Sequence, residues 1–182
     1  MSTTTITIED QLAEVRRRID CMQACAQACG LPRVQRHLDA LQHEEASVRA
    51  AARHAPGEVE EKLAQLGTRV DIAEHSLTAD LSGDWPTFVA AVEAELDSWD
   101  TYLERLQTSV ATSAWEARAQ AETAIAEVRT RRIAVDAHLA QAPERTGDTW
   151  QEQRARVTVA RDELEEKTDE LSTNLNEEGA QT

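Results

Sequence analysis

Apolar residues recur along this chain at alternating steps of four and three. In the first segment the series is Ile8, Leu12, Val15, Ile19, Met22, Ala26 and Cys29; in the second it is Val34, Leu38, Leu41, Glu45, Val48 and Ala52, with one acid in the row. The third gives Val59, Leu63, Leu66, Val70, Ala73 and Leu77. Such alternation averages about 3.5 residues, the seam of α-helices wound around one another, whereas a strand would need a period of two. A fourth series, Val92, Leu96, Trp99, Leu103, Leu106, Val110 and Ser113, stutters through Ala117 and Ala121 before Ile125, Val128, Arg132, Val135 and Leu139 resume it. In the last segment Trp150, Val157, Leu164 and Leu171 recur every seven residues, but the alternate positions are Gln153, Ala160, Lys167 and Asn174, so this seam is half polar.

Breakers punctuate the pattern at Gly30-Leu31-Pro32, Pro56-Gly57, Ser82 to Pro86 and Pro143 to Gly147. They predict helices over about 6–29, 32–54, 58–81, 86–142 and 148–176, with a frayed end from Glu177. Thr7 or Thr5 is placed to cap the first helix, with Glu9 and Asp10 against the positive end of its dipole, and Asp84 before Pro86 to cap the fourth. One helix of about 55 residues over 86–142 would be ~80 Å long, so either the molecule is elongated or this helix bends. A bend would disturb least at the stutter, beside Thr112 and Ser113.

The expected class is therefore all-α: an elongated antiparallel bundle of four or five helices forming coiled-coil hairpins. Two helical halves, 1–83 and 84–182, share one bundle in this reading. The stretches Ala52–Glu58 and Leu139–Arg145 each join a long element to a shorter returning one, a pattern that admits two spectrin-like pseudo-repeats. Composition agrees. Aromatics are 3%, and six glycines and four prolines are few for 182 residues, while alanine, glutamate, arginine and leucine are plentiful.

The formal net charge of −15 argues against a nucleic-acid backbone as partner. Acids concentrate at 84–104 (Asp84, Glu93, Glu95, Asp97, Asp100, Glu104, with no Lys or Arg) and at 162–178. Acidic helix faces usually serve solubility; docking on a basic partner or mimicry of DNA is the sharper alternative. No stretch approaches the ~18 apolar residues of a membrane span. The first residues lack the basic and apolar regions of a signal peptide, so a cytoplasmic location is expected.

Chemistry is sparse. The sequence holds no P-loop, no G-x-G-x-x-G, no G-x-S-x-G and no Glu-x-x-His pair, so neither an enzyme nor a cofactor is expected. His37, His43, His54, His75 and His138 read as surface residues. Cys21, Cys25 and Cys29 stand apart, since their spacing stacks them along one helix face with Cβ atoms ~5–6 Å apart. Thiolates so placed can take a soft metal such as Cu(I), or Zn(II) if further ligands are found. Core packing of small side chains and an intermolecular disulfide are the other readings. All four tryptophans lie in the second half: Trp85 can staple on Phe88, Trp99 sits on the seam, and Trp115 and Trp150 are candidate partner anchors, Trp115 alternatively filling space at a bend. The expected function is a non-enzymatic helical interaction or scaffold protein that associates with another protein or itself. Soft-metal or redox binding through the cysteine row is the alternative.

Overall fold

A computed structural model describes residues 7–52, 56–110, 115–141 and 148–179, with side chains described except at 56–58, 115–117, 148–149 and 172–179. The described residues form six α-helices and no strand: α1 (Ile8–Cys29), α2 (Pro32–Ala52), α3 (Pro56–Leu81), α4 (Trp85–Val110), α5 (Trp115–Ala140) and α6 (Asp148–Gly179). Six are described where four or five were expected, α4 and α5 lying on either side of residues 111–114, which are outside the described ones. α4 ends at Val110 and α5 begins at Trp115. Thr112 and Ser113, like His54 and the stretches 53–55 and 142–147, lie outside the described residues, and so does half of the two repeat-like stretches.

The chain divides into two compact units, Met1–Gly83 with Ala90–Trp99, and Asp84–Val89 with Asp100–Thr182, so α4 contributes to each. In the first unit α1, α2 and α3 each pack on the other two. Their cores are the three predicted seams: Leu12, Val15, Ile19, Met22 and Ala26 meet Val34, Leu38, Leu41 and Val48, and Val59 through Leu77. Contacts between Gln23 and both Asp39 and Gln42, then between Arg16 and Glu45 further from the turn, make α1 and α2 antiparallel. Arg69 to Glu44 (2.6 Å) and Arg33 to Asp80 (3.5 Å) do the same for α2 and α3. Arg18 reaches from α1 to Glu74 and Asp71 on α3, and these two carboxylates push its pKa up. Ion pairs of this partly exposed kind contribute little stability each; their effect here is to fix which residues face one another.

The helix ends are built as their residues dictate. Thr7 accepts the Asp10 N–H and donates its hydroxyl to the Asp10 carboxylate, which also accepts the Thr7 N–H. This reciprocal cap holds the Asp10 carboxyl below its usual range. Asp84 accepts from the Thr87 N–H at 2.9 Å and from its hydroxyl at 3.0 Å. At the end of α1, Gly30 adopts a left-handed φ of 67°. Its N–H donates to the Gln27 carbonyl, and the Leu31 N–H to the Ala26 carbonyl. This closing motif favours glycine at the reversed position and an apolar residue after it. Leu31 accordingly packs on the core.

In the second unit α5 and α6 form an antiparallel hairpin, bracketed by Arg131–Glu163 (2.7 Å) and by Gln153 donating to the His138 carbonyl. Ala121, Ile125, Val128, Val135 and Leu139 are buried on α5; Gln153, Val157, Ala160, Leu164, Thr168 and Leu171 on α6. Thr168 takes the place that sevenfold spacing assigned to Lys167. Its hydroxyl donates to the Leu164 carbonyl and is thereby satisfied inside the core. The later part of α4 is tied to α5 through Asp100–Arg132 (2.9 Å) and Gln107–Arg129 (2.7 Å). Among the described residues no helix is long and apolar enough to cross a membrane.

Glu45, the acid in the α2 seam, is 3% exposed and accepts from Arg49 at 2.8 Å and Arg16 at 3.4 Å. A buried carboxylate is tolerated because it is paired, and an apolar residue of similar size would meet the same need without desolvating a charge. Glu45→Leu is therefore expected to leave stability unchanged or raised in chemical denaturation. The Arg16→Ala/Arg49→Ala double variant, which strands the carboxylate, should lose about 1–3 kcal/mol.

Candidate functional site

Each cysteine follows from the end of α1. The closing motif at Gly30 makes Cys29 the last residue of the helix, where its side chain is exposed. Seam spacing assigned Cys29 to the core; that is corrected here, because the chain reverses at Gly30 and Leu31 fills the seam in its place. Cys21 is also exposed, and Cys25 is half-buried against the three-helix core. Free cysteine is among the most buried residue types, so packing accounts for Cys25 alone. Loss of water around it, then the neighbouring Cys29, raises the Cys25 pKa above the ordinary thiol range. Among the described residues no three His, Cys, Asp or Glu side chains are grouped to hold a metal ion. The three cysteines thus follow one another at single-turn spacing along α1, with Cys25 the one that packs on the core.

The candidate tryptophan anchors separate. Trp115 is the first residue of α5, and its side chain lies outside those described. Trp150 is half-buried and engaged within its own unit. The Arg154 guanidinium stands over its ring at 5.7 Å and over the Phe88 ring at 5.2 Å. Trp85 and Phe88 stack at 5.5 Å, as the proposed staple requires. Of the histidines, His43 is exposed, and His37, His75 and His138 are half-buried.

No protein-family model matches this chain, and neither a curated protein nor a solved structure does. The geometry of its surfaces therefore carries the functional argument. An open cleft of about 360 Å³ lies on the first unit, lined by Arg16, Glu45, Ala46, Arg49 and Ala50. Both arginines already pair with Glu45, and Arg16 also with Asp20, so the cleft offers an incoming anion little uncompensated charge.

A more distinctive surface is the outer side of α5, which seam reading alone passes over. Ala119, Thr123, Ala126, Thr130, Ile133, Ala137 and Ala140 repeat the four–three spacing on the face opposite the buried seam, and every one is exposed. Thr123 and Thr130 donate their hydroxyls to the Ala119 and Ala126 carbonyls, each at 2.9 Å. Their polar atoms are turned into the helix, and the face they present is methyl. No charged residue interrupts this row. Neighbouring charges on α5 are engaged elsewhere: Arg118 with Glu122, Arg131 with Glu163, Arg132 with Asp100. On α6, Val159 is exposed on the side away from that helix's own buried residues. Ile133 and Val159 are 63% and 57% exposed, unusual for aliphatic residues of this size.

The same chain buries a row of this kind elsewhere. On α3 and just past its end, Thr68, Ile72, Ala79 and Ser82 lie beside the Val59–Leu77 seam and are buried, with half-buried His75 in the same row. Thr68 and Ser82 donate to the Ala64 and Thr78 carbonyls as the α5 threonines do. Small side chains and back-bonded hydroxyls let a neighbouring backbone approach closely, which is a packing surface rather than a solvated one.

Thiol labelling tests the cysteine geometry. In the reduced chain at mildly alkaline pH, fragment mass spectrometry after iodoacetamide treatment should find Cys25 modified last. Its raised pKa lowers the thiolate fraction at any given pH, so the rate at Cys25 should climb at higher pH than that of an ordinary thiol.

Proposed function

We propose that this chain is a non-enzymatic helical interaction protein that uses the outer face of α5 to take a partner helix, in the first instance a second copy of itself. The row Ala119–Ala140, with Ile133 exposed, carries this reading. In a molecule where 29% of residues are charged, an uncharged row six turns long, edged by Glu122, Arg129 and Asp136, leaves apolar area in water unless something covers it. Small residues at heptad spacing favour a helix as the cover, since they allow close approach of two backbones.

The row also suits its own mirror partner. Ala126 and Ile133 stand on either side of Thr130 at nearly equal distance along the helix. An antiparallel copy crossing at Thr130 places each Ile133 over the other chain's Ala126, large against small. A twofold contact of this kind is self-complementary and closes after two subunits. The buried α3 row shows that side chains of this composition pack well once covered.

Sedimentation velocity across the micromolar range tests the reading. The wild-type chain should show a mass that rises with concentration towards a dimer. Ile133→Glu should hold it at the monomer with helical circular dichroism unchanged, because the substituted side chain is solvent-exposed in the single chain. A wild-type chain that stays monomeric through the high-micromolar range, or an Ile133→Glu chain that dimerises equally well, overturns the proposal.

A further inference from the structure

The charges that border the outer row of α5 are arranged by sign. Glu122, Arg129 and Asp136 each precede a member of the row by one residue (Thr123, Thr130 and Ala137), so they follow one another along one edge of it, and all three are exposed. Glu127, also exposed, comes one residue after Ala126 and so lies on the opposite edge. Within the chain the two acids of the first edge have cations beside them. Arg118 holds Glu122 at 2.7 Å, and Arg132 stands 3.7 Å from Asp136. Arg129 differs. Its guanidinium donates to the side-chain oxygen of Gln107 at 2.7 Å, a neutral acceptor, which leaves its positive charge available to a carboxylate from outside.

The row admits two antiparallel crossings of a second copy. At Thr130 each Ile133 lies over the other chain's Ala126; at Ala126 each lies over the other chain's Ala119. Both set large against small, so apolar fit does not separate them. The edges do. Antiparallel helices bring like edges together, and the charges beside a helical seam set partner choice and alignment. Crossing at Thr130 places Arg129 next to its own copy and each Glu122 next to the other chain's Asp136, every contact of like charge. Crossing at Ala126 places each Arg129 next to the other chain's Glu122, and the one like-charge contact is between the two Glu127 side chains on the far edge. We infer, on the self-association proposed above, that two copies cross at Ala126 and that Arg129 and Glu122 are the residues that select this alignment. Exposed ion pairs contribute little each. They choose the crossing, while cover of the apolar row drives the association.

Charge reversal in the full-length chain, read by sedimentation velocity, tests the crossing. Arg129→Glu and Glu122→Arg should each weaken the dimer roughly tenfold, and the double variant should regain the wild-type affinity. Glu122→Arg makes each chain less negative and should still weaken the dimer, which general repulsion between acidic chains would not produce. A cross-link reads the alignment directly. In a Cys21→Ser, Cys25→Ser, Cys29→Ser background, Ala126→Cys should give a disulfide-linked dimer in a glutathione redox buffer. Thr130→Cys should not, since its two copies stand ~12 Å apart along the axis, beyond disulfide reach. All the substituted α5 positions are exposed, and circular dichroism should show unchanged helicity. Tighter association of Glu122→Arg, a double variant that does not recover, or cross-linking through Thr130→Cys in place of Ala126→Cys overturns the crossing while the dimer stands. A wild-type chain that stays monomeric overturns the self-association, and the crossing with it.

Discussion

Helices of 21 to 32 residues, rich in alanine and acids, are at best marginal when isolated in water. What holds these in place is the removal of one apolar stripe per helix from solvent, at a spacing that returns to the same side every seven residues. The stripe sets the rest. It decides which side chains become ion-pair partners between helices, which faces carry the acids, and where a break can fall without exposing the core. In the first unit it runs from Leu12 to Ala26, Val34 to Val48 and Val59 to Leu77, interrupted only by the paired Glu45. Arg18, Arg33 and Arg69 then lie at its margins, each opposite a carboxylate of another helix.

Because that stripe is narrow, a helix has room for a second one. α3 uses its second side, burying Ile72 and Ala79 with back-bonded Thr68 and Ser82. α5 carries the same arrangement and leaves it in solvent. This difference between two helices of one chain, rather than any catalytic constellation, is the strongest functional signal in the molecule. It depends on side chains that count as weakly polar in isolation and become apolar only through their hydrogen bonds to the helix they sit on.

That dependence explains how much was legible beforehand. The helical class, the core seams, the Asp84 cap and a threonine cap at Thr7 or Thr5 can be read directly, because large aliphatic residues and capping side chains act through local rules. The outer α5 row escapes since alanine and threonine carry little hydropathy, and the hydroxyl's disappearance into the i−4 carbonyl is a matter of rotamer. Cys29 was misplaced for a similar reason: spacing continues a seam past the point where Gly30 reverses the chain. The exchange of Lys167 for Thr168 also shows a polar residue entering the core once its hydroxyl is satisfied. The joining of Arg18 to Asp71 and Glu74 spans over fifty positions, and no local pattern announces such a pair.

The central claim is one of faces: α5 has a covered side and an equally regular uncovered side. Hydroxyl-radical footprinting of the dilute chain reads this residue by residue, since oxidation of aliphatic side chains follows their exposure. The account predicts that Ile133 and Val159 are oxidised rapidly while Ile125, Val128 and Leu164 are protected. Protection of Ile133 equal to that of Ile125 in the monomer, or rapid oxidation of Ile125 and Val128, would contradict it.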